Sequence, residues 1–168
     1  GYVLTYEGQR HPACDDGMRK LTRYQLLPDV TNSLEKYSGY KTYFYGNFRK
    51  RNTEWIIDPA LPRYSTHYVG LRHKISILSE AYSYAPYKDR VMATLAFVRH
   101  SFQWVADHRA AVRSTILAAK KRDTDLGLHP AADNLVPLRR ESELLKQPVG
   151  VWGFEGGEPK EFQVLYND

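Results

Sequence analysis

One cysteine, Cys14, stands in the 168 residues. That excludes an internal disulfide and any cysteine-rich zinc site, but it leaves the compartment open, because secreted proteins can also lack disulfides. Apolar runs are only a few residues long, too short to cross a bilayer. No basic-then-apolar leader opens the chain. The G-x-S-x-G nucleophile elbow is missing. So are a Gly-rich phosphate loop and the H-x-x-E, H-x-x-H and H-E-x-x-H patterns. The histidines, His11, His67, His73, His100, His108 and His129, therefore stand at no recognised ligand spacing and read as ordinary polar side chains.

What is present is the composition of a soluble globular protein, with 42% apolar and 26% charged residues. The length suits one domain with a real core. The net charge of +5 comes from bases spread along the chain. Their one dense cluster, Arg49-Lys50-Arg51, reads as a solvated loop. Aromatics from Tyr37 to Phe48 beside that cluster are compatible with a stacking platform. Alternation explains them equally well as a strand with two covered faces, so nucleic acid is not an expected partner.

Residues 1–6 read as a short strand already in progress, which points to a fragment or a processed chain. Asp15 or Asp16 can cap a helix carrying Met18, Leu21, Tyr24, Leu26, Leu27, Val30 and Leu34. Pro28 should kink or restart it, and Ser38-Gly39 should end it. Tyr40–Phe44 predicts a strand, and residues 49–63 a long loop. Lys74–Ser83 predicts a strand with two largely apolar faces, as in a central strand packed between helices. Pro86 opens a long helix whose stripe Val91, Leu95, Val98, Phe102 and Val105 predicts a buried face. A break is expected near Asp107, with helix continuing toward Lys121. Residues 123–130 read as a linker and Val136–Leu138 as a strand. Alternation around Gly156-Gly157 predicts a terminal hairpin in an all-β appendage.

Glu80 sits in the middle of the predicted central strand. A buried carboxylate costs several kcal/mol unless it is paired, protonated or used. One reading is structural, a salt bridge to Arg72, Lys74 or another base. The other is a general base held at a strand's carboxyl end, with its pKa raised by burial.

Three stretches resemble one family. They are Tyr45-Gly46-Asn47-Phe48, the run from Pro62-Arg63-Tyr64-Ser65-Thr66-His67 through Ile77-Leu78-Ser79-Glu80-Ala81 to Tyr84, and Lys88-Asp89-Arg90-Val91. Together they look like the bacterial branch of the carboxypeptidase A-like zinc carboxypeptidases. Gly1–Tyr6 resembles the segment just after that family's third zinc ligand. The resemblance covers residues 1–120 or so. It implies an α/β fold, part of a mixed β-sheet flanked by helices, with a small C-terminal β extension. Residues 1–122 would be the C-terminal part of the catalytic domain, and 123–168 a linker and β-hairpin. It also implies zinc as cofactor, held by two His and a Glu that would all lie before Gly1, so that this chain holds no metal ligand.

By resemblance, Glu80 matches the catalytic glutamate, which takes a proton from zinc-bound water and passes it to the leaving amine. Tyr68 matches a substrate-binding tyrosine of a mobile loop, with Tyr64 as its substitute. Arg72 would hold Glu80 or a substrate carboxylate. His67 and His73 stand where relatives are expected to carry Asn, and Tyr64-Ser65 where they carry Phe-Gly; drift is the simpler account. The implied activity is hydrolysis of peptides at their C-termini, with a peptide substrate, no nucleic acid and no membrane as partners. Export to the periplasm or medium is implied as well. The competing reading is a non-catalytic carboxypeptidase-like module that binds glycan or peptide through the Tyr40–Phe48 aromatics.

Overall fold

A computed structural model describes every residue except 133, 134, 136, 138–140 and 168. The strand expected over Val136–Leu138 lies outside the described residues. The chain is mixed α/β, with two mixed sheets and helices packed on them.

The first strand, β1 (Leu4–Gly8), alternates Leu4 and Tyr6 inward, and both are buried. Helix α1 (Asp16–Leu21) follows, capped by Asp15, whose side chain accepts from Met18 N at 2.9 Å. The axis then widens into a π-turn over Thr22–Leu26 before α2 (Leu27–Ser38). Pro28 explains the widening: it has no N–H to donate, and its ring crowds the preceding turn. Leu27 N accordingly donates to Thr22 O, five residues back. Gly39 ends α2 at φ 71, a left-handed conformation that costs glycine nothing.

Strand β2 (Thr42–Phe44) comes next. The expected loop over 49–63 instead holds most of a hairpin, β3 (Asn47–Arg49) and β4 (Glu54–Ile56), paired Phe48 to Trp55. Its turn, Lys50-Arg51-Asn52, has three successive positive φ angles. Of the three, only Asn52 is a residue type that readily adopts this conformation, so the turn carries a weak signature in the sequence.

Helix α3 (Ser65–Leu71) and strand β5 (Ile77–Ala81) follow. The strand is shorter than Lys74–Ser83 because His73, at φ 55, turns the chain first. The two long helices α4 (Tyr87–Asp107) and α5 (Arg109–Leu128) meet at His108, as the break near Asp107 predicts. Residues 123–128, expected in a linker, continue α5. The terminal strands are β6 (Val149–Glu155) and β7 (Glu158–Tyr166). They join through Gly156 and Gly157, both at positive φ, as a two-residue hairpin turn requires.

In the first sheet the order is β2-β1-β5, with β2 parallel and β5 antiparallel to β1. Leu4 and Tyr6 meet Leu26, Leu27 and Val30 of the first helical segments and Phe97 of α4. Each such buried side chain is worth about 1.5–3 kcal/mol. Strand β5 is therefore an edge strand among the described residues. The central, doubly covered strand expected from its apolar run is not what forms. Ile77, Ser79 and Ala81 share the face of Leu4 and Tyr6, while Leu78 and Glu80 point the other way.

The expected stripe of α4 needs correction too. Phe97 is 3% exposed and Phe102 72% exposed. Val91, Leu95 and Val98 are exposed as well, whereas Ala93, Phe97 and Trp104 are buried. The helix carries two apolar stripes, and periodicity alone does not say which one the sheet covers.

The second sheet runs β3-β4-β7-β6. The hairpin of β6 and β7 packs on the first part of the chain, because β7 pairs in parallel with β4. Asn167 secures the junction by accepting from Ile57 N at 2.7 Å and donating to Ile57 O at 3.1 Å.

Candidate active site

Glu80 faces Thr5 across the β1–β5 ladder, and both look away from the helical core into a cleft between the two sheets. The cleft measures about 400 Å³. β5 supplies Glu80, and the residues just after it supply Tyr82 and Ser83. The β2–β3 connection adds Tyr45, the start of β3 adds Asn47, and β6 adds Trp152 and Phe154. Gly153 lets β6 approach so closely: a Cβ there would lie 2.7 Å from the Phe48 ring.

The Glu80 side chain is exposed to the cleft and makes no hydrogen bond or ion pair with a described residue. The burial expected from its apolar neighbours does not occur, since the outer face of an edge strand is open to solvent. Neither Arg72 nor Lys74 bridges to it, which removes the structural reading's partners. Its charge is felt at Tyr45. Burial, followed by the charge of Glu80, holds that phenol above the usual tyrosine range. Tyr45 itself is fixed through its backbone N, which donates to Tyr6 O at 2.7 Å.

The other candidates lie elsewhere. Tyr68 and Arg72 sit on and just after α3, where Arg72 Nη1 donates to the Tyr68 hydroxyl at 3.3 Å, both exposed. The Tyr64 hydroxyl accepts from Arg63 at 3.2 Å. None of the three lines the Glu80 cleft. The structure therefore brings Glu80 together with Tyr45, Tyr82 and Asn47, rather than with Tyr64, Tyr68 and Arg72.

Sequence reasoning missed one polar cluster entirely. His67 is 1% exposed, with Nε2 3.3 Å from Glu7 Oε1. Arg10 also donates to Glu7, and its guanidinium reaches the carbonyl of Asp58. Burial opposes ionisation of Glu7, but the bonds and charges of His67 and Arg10 outweigh it. The carboxyl is held below its usual range. Parity along β1 was the available signal, because Glu7 alternates with Leu4 and Tyr6 onto the face that α3 covers. The cluster ties α3 to β1 and to the chain after β4. It does not reach the cleft.

A second cavity of about 500 Å³ opens at the Gly8 end of β1. The carboxylates of Glu7 and Asp16 there are already bridged, Asp16 by Arg19 and Lys20. Among the described residues no group of three or more His, Cys, Asp or Glu side chains is placed to hold a metal ion. No described helix is long and apolar enough to cross a membrane. No family model matches the chain, and no curated protein or solved structure matches it either.

Proposed function

We propose that this chain forms the C-terminal part of a zinc carboxypeptidase-like peptidase that hydrolyses peptide bonds at peptide C-termini, with Glu80 as general base. The observation that carries the reading is the setting of Glu80. It is the one carboxylate among the described residues lining the cleft, it stands near the carboxyl end of β5, and it has no partner. A carboxylate so placed takes a proton from water as the water oxygen adds to the scissile carbonyl carbon. It returns that proton to the amine nitrogen as the C–N bond breaks.

Zinc enters through the resemblance alone. Glu80 is the single potential ligand side chain of the cleft, so the described residues do not form a zinc donor set. The reading assigns the ligands to chain outside these 168 residues. Two further features support a larger domain. The outer edge of β5 has no strand beside it among the described residues, and the Val91–Phe102 stripe of α4 has no cover. Exposed edges and apolar stripes of this kind are what further elements of a sheet domain cover.

The test has two parts. This chain alone should bind no stoichiometric zinc and hydrolyse nothing. In a protein that also carries the upstream segment, Glu80→Gln should abolish turnover while zinc content stays at one per chain. Turnover retained in that variant would sink the base assignment. Tight zinc binding with Glu80-dependent hydrolysis by this chain alone would sink the placing of the ligands.

A further inference from the structure

We propose that the cleft beside Glu80 binds a saccharide ring, with Trp152 and Phe154 of the C-terminal hairpin as its ring-contacting wall. The substrate-class part of this inference, a sugar-linked peptide, rests on the peptidase reading; the binding part does not. The hairpin lies outside the segment that carries the family resemblance, yet the packing of β7 on β4 delivers its aromatics to the site of the candidate base.

The cleft's composition selects the ligand. Its volume of about 400 Å³ suits a ring-sized group. Two of its rings are set to receive one: those of Tyr82 and Phe154 lie nearly parallel, 13° apart in plane with centroids at 6.5 Å, and both are well exposed. The Trp152 backbone N–H donates to the Tyr2 hydroxyl at 3.3 Å, and the Lys41 ammonium lies 4.6 Å from its ring. Between these apolar faces stand Glu80 and Asn47, a planar carboxylate and a planar amide.

A phenyl side chain would cover both polar groups without bonding either, which is costly for an amide and more so for a carboxylate. A nucleotide would bring phosphates to a cleft that contains a carboxylate and no Lys, Arg or His side chain. A sugar ring meets both demands. Its C–H faces pack on the aromatic rings, while its hydroxyls donate to Glu80 and exchange bonds with Asn47.

Intrinsic fluorescence reads the binding, because Trp55 and Trp152 line the cleft while Trp104 is buried against Asp29, 2.8 Å from its carboxylate. Cellotriose, chitotriose and maltotriose are titrated into the full chain, with N-acetylphenylalanine amide as comparison. At least one trisaccharide should bind. Trp152→Ala and Phe154→Ala should each weaken it by about fivefold or more. Trp152→Phe, which keeps a ring and the hairpin fold, should retain most of the affinity, and Tyr24→Ala, outside the cleft, all of it.

Binding of no trisaccharide overturns the proposal, as does tighter binding of the phenylalanine amide or indifference to both hairpin variants. Saccharide binding by a metal-loaded longer protein that hydrolyses no peptide would sink the peptidase reading and leave this one standing. Peptide hydrolysis without saccharide binding would do the reverse.

Discussion

Replacing His67 by alanine tests the buried polar cluster, and its cost can be worked from the geometry. The ring is 1% exposed, so truncation opens a void the size of an imidazole. It also strips Glu7, 12% exposed, of the imidazole 3.3 Å away. Leaving a buried charge short of a partner costs about 1–3 kcal/mol, and lost packing adds to it. Arg10 remains on Glu7 and keeps the total near about 3 kcal/mol. For a domain of this size that is a fall in Tm of about 6–12 °C.

The same cluster fixes a pH dependence. The folded pKa of Glu7 lies below its ordinary 4.5. Its contribution is therefore complete above that value and is lost as pH falls through the lower, folded pKa. Urea unfolding followed by circular dichroism at pH 7 and pH 3 measures both effects. Glu7→Gln should destabilise at pH 7, and by less at pH 3. A His67→Ala variant within about 0.5 kcal/mol of the parent, the scatter of ordinary surface changes, would refute the reasoning. So would a Glu7→Gln cost that ignores pH.

Two sharper contrasts follow from the cores. Phe97→Ala should cost about 3–5 kcal/mol in urea titrations, whereas Phe102→Ala, one and a half turns along the same helix, should stay within about 0.5 kcal/mol; equal costs would mean that the covered stripe has been misassigned. Tyr6, buried and bonded to Thr31 at 2.7 Å, has its phenol pushed up to about 12, chiefly by burial. Ultraviolet difference titration should show one tyrosine step near that pH that disappears in Tyr6→Phe, and the stability it confers should be intact below pH 10 and lost as pH rises toward 12.

The parts of the fold legible in the sequence are those set by local chemistry. Asp15 as a cap, Pro28 as a disturbance, Gly39 as a stop, Pro86 as a helix start and Gly156-Gly157 as a hairpin turn each act through their own backbone or side chain. What stayed hidden depends on distant partners. Periodicity found the Val91–Phe102 stripe but not the competing one through Phe97, which wins because Tyr6 of β1 stacks on it, centroids 5.6 Å apart. The Glu80 strand looked central because its residues are apolar on both faces, yet burial needs a neighbour on each side. The cleft itself joins residues 45–47, 80–83 and 152–154, and no local pattern announces that they meet. Of the residues matched to the peptidase, the one that faces the cleft is Glu80; beside it stand Tyr82, its near neighbour in sequence, and Tyr45, which the sequence assigns to the aromatics of the competing binding reading.

The clasp of Asn167 on Ile57 sets an order of assembly. The pairs Glu54–Leu165 and Trp55–Tyr166 close a loop of more than a hundred residues, and loop closure of that length is a slow, late event. On a ribosome, β1, β2 and β5 with their helices can condense while the last strands are still being made. The wall that carries Trp152 and Phe154 arrives only after residues 149–166 have emerged. A growing chain therefore displays Glu80 on an open sheet face before it owns a cleft, and the pocket that gives that carboxylate its surroundings comes into being only when β7 docks on β4 and brings β6 with it.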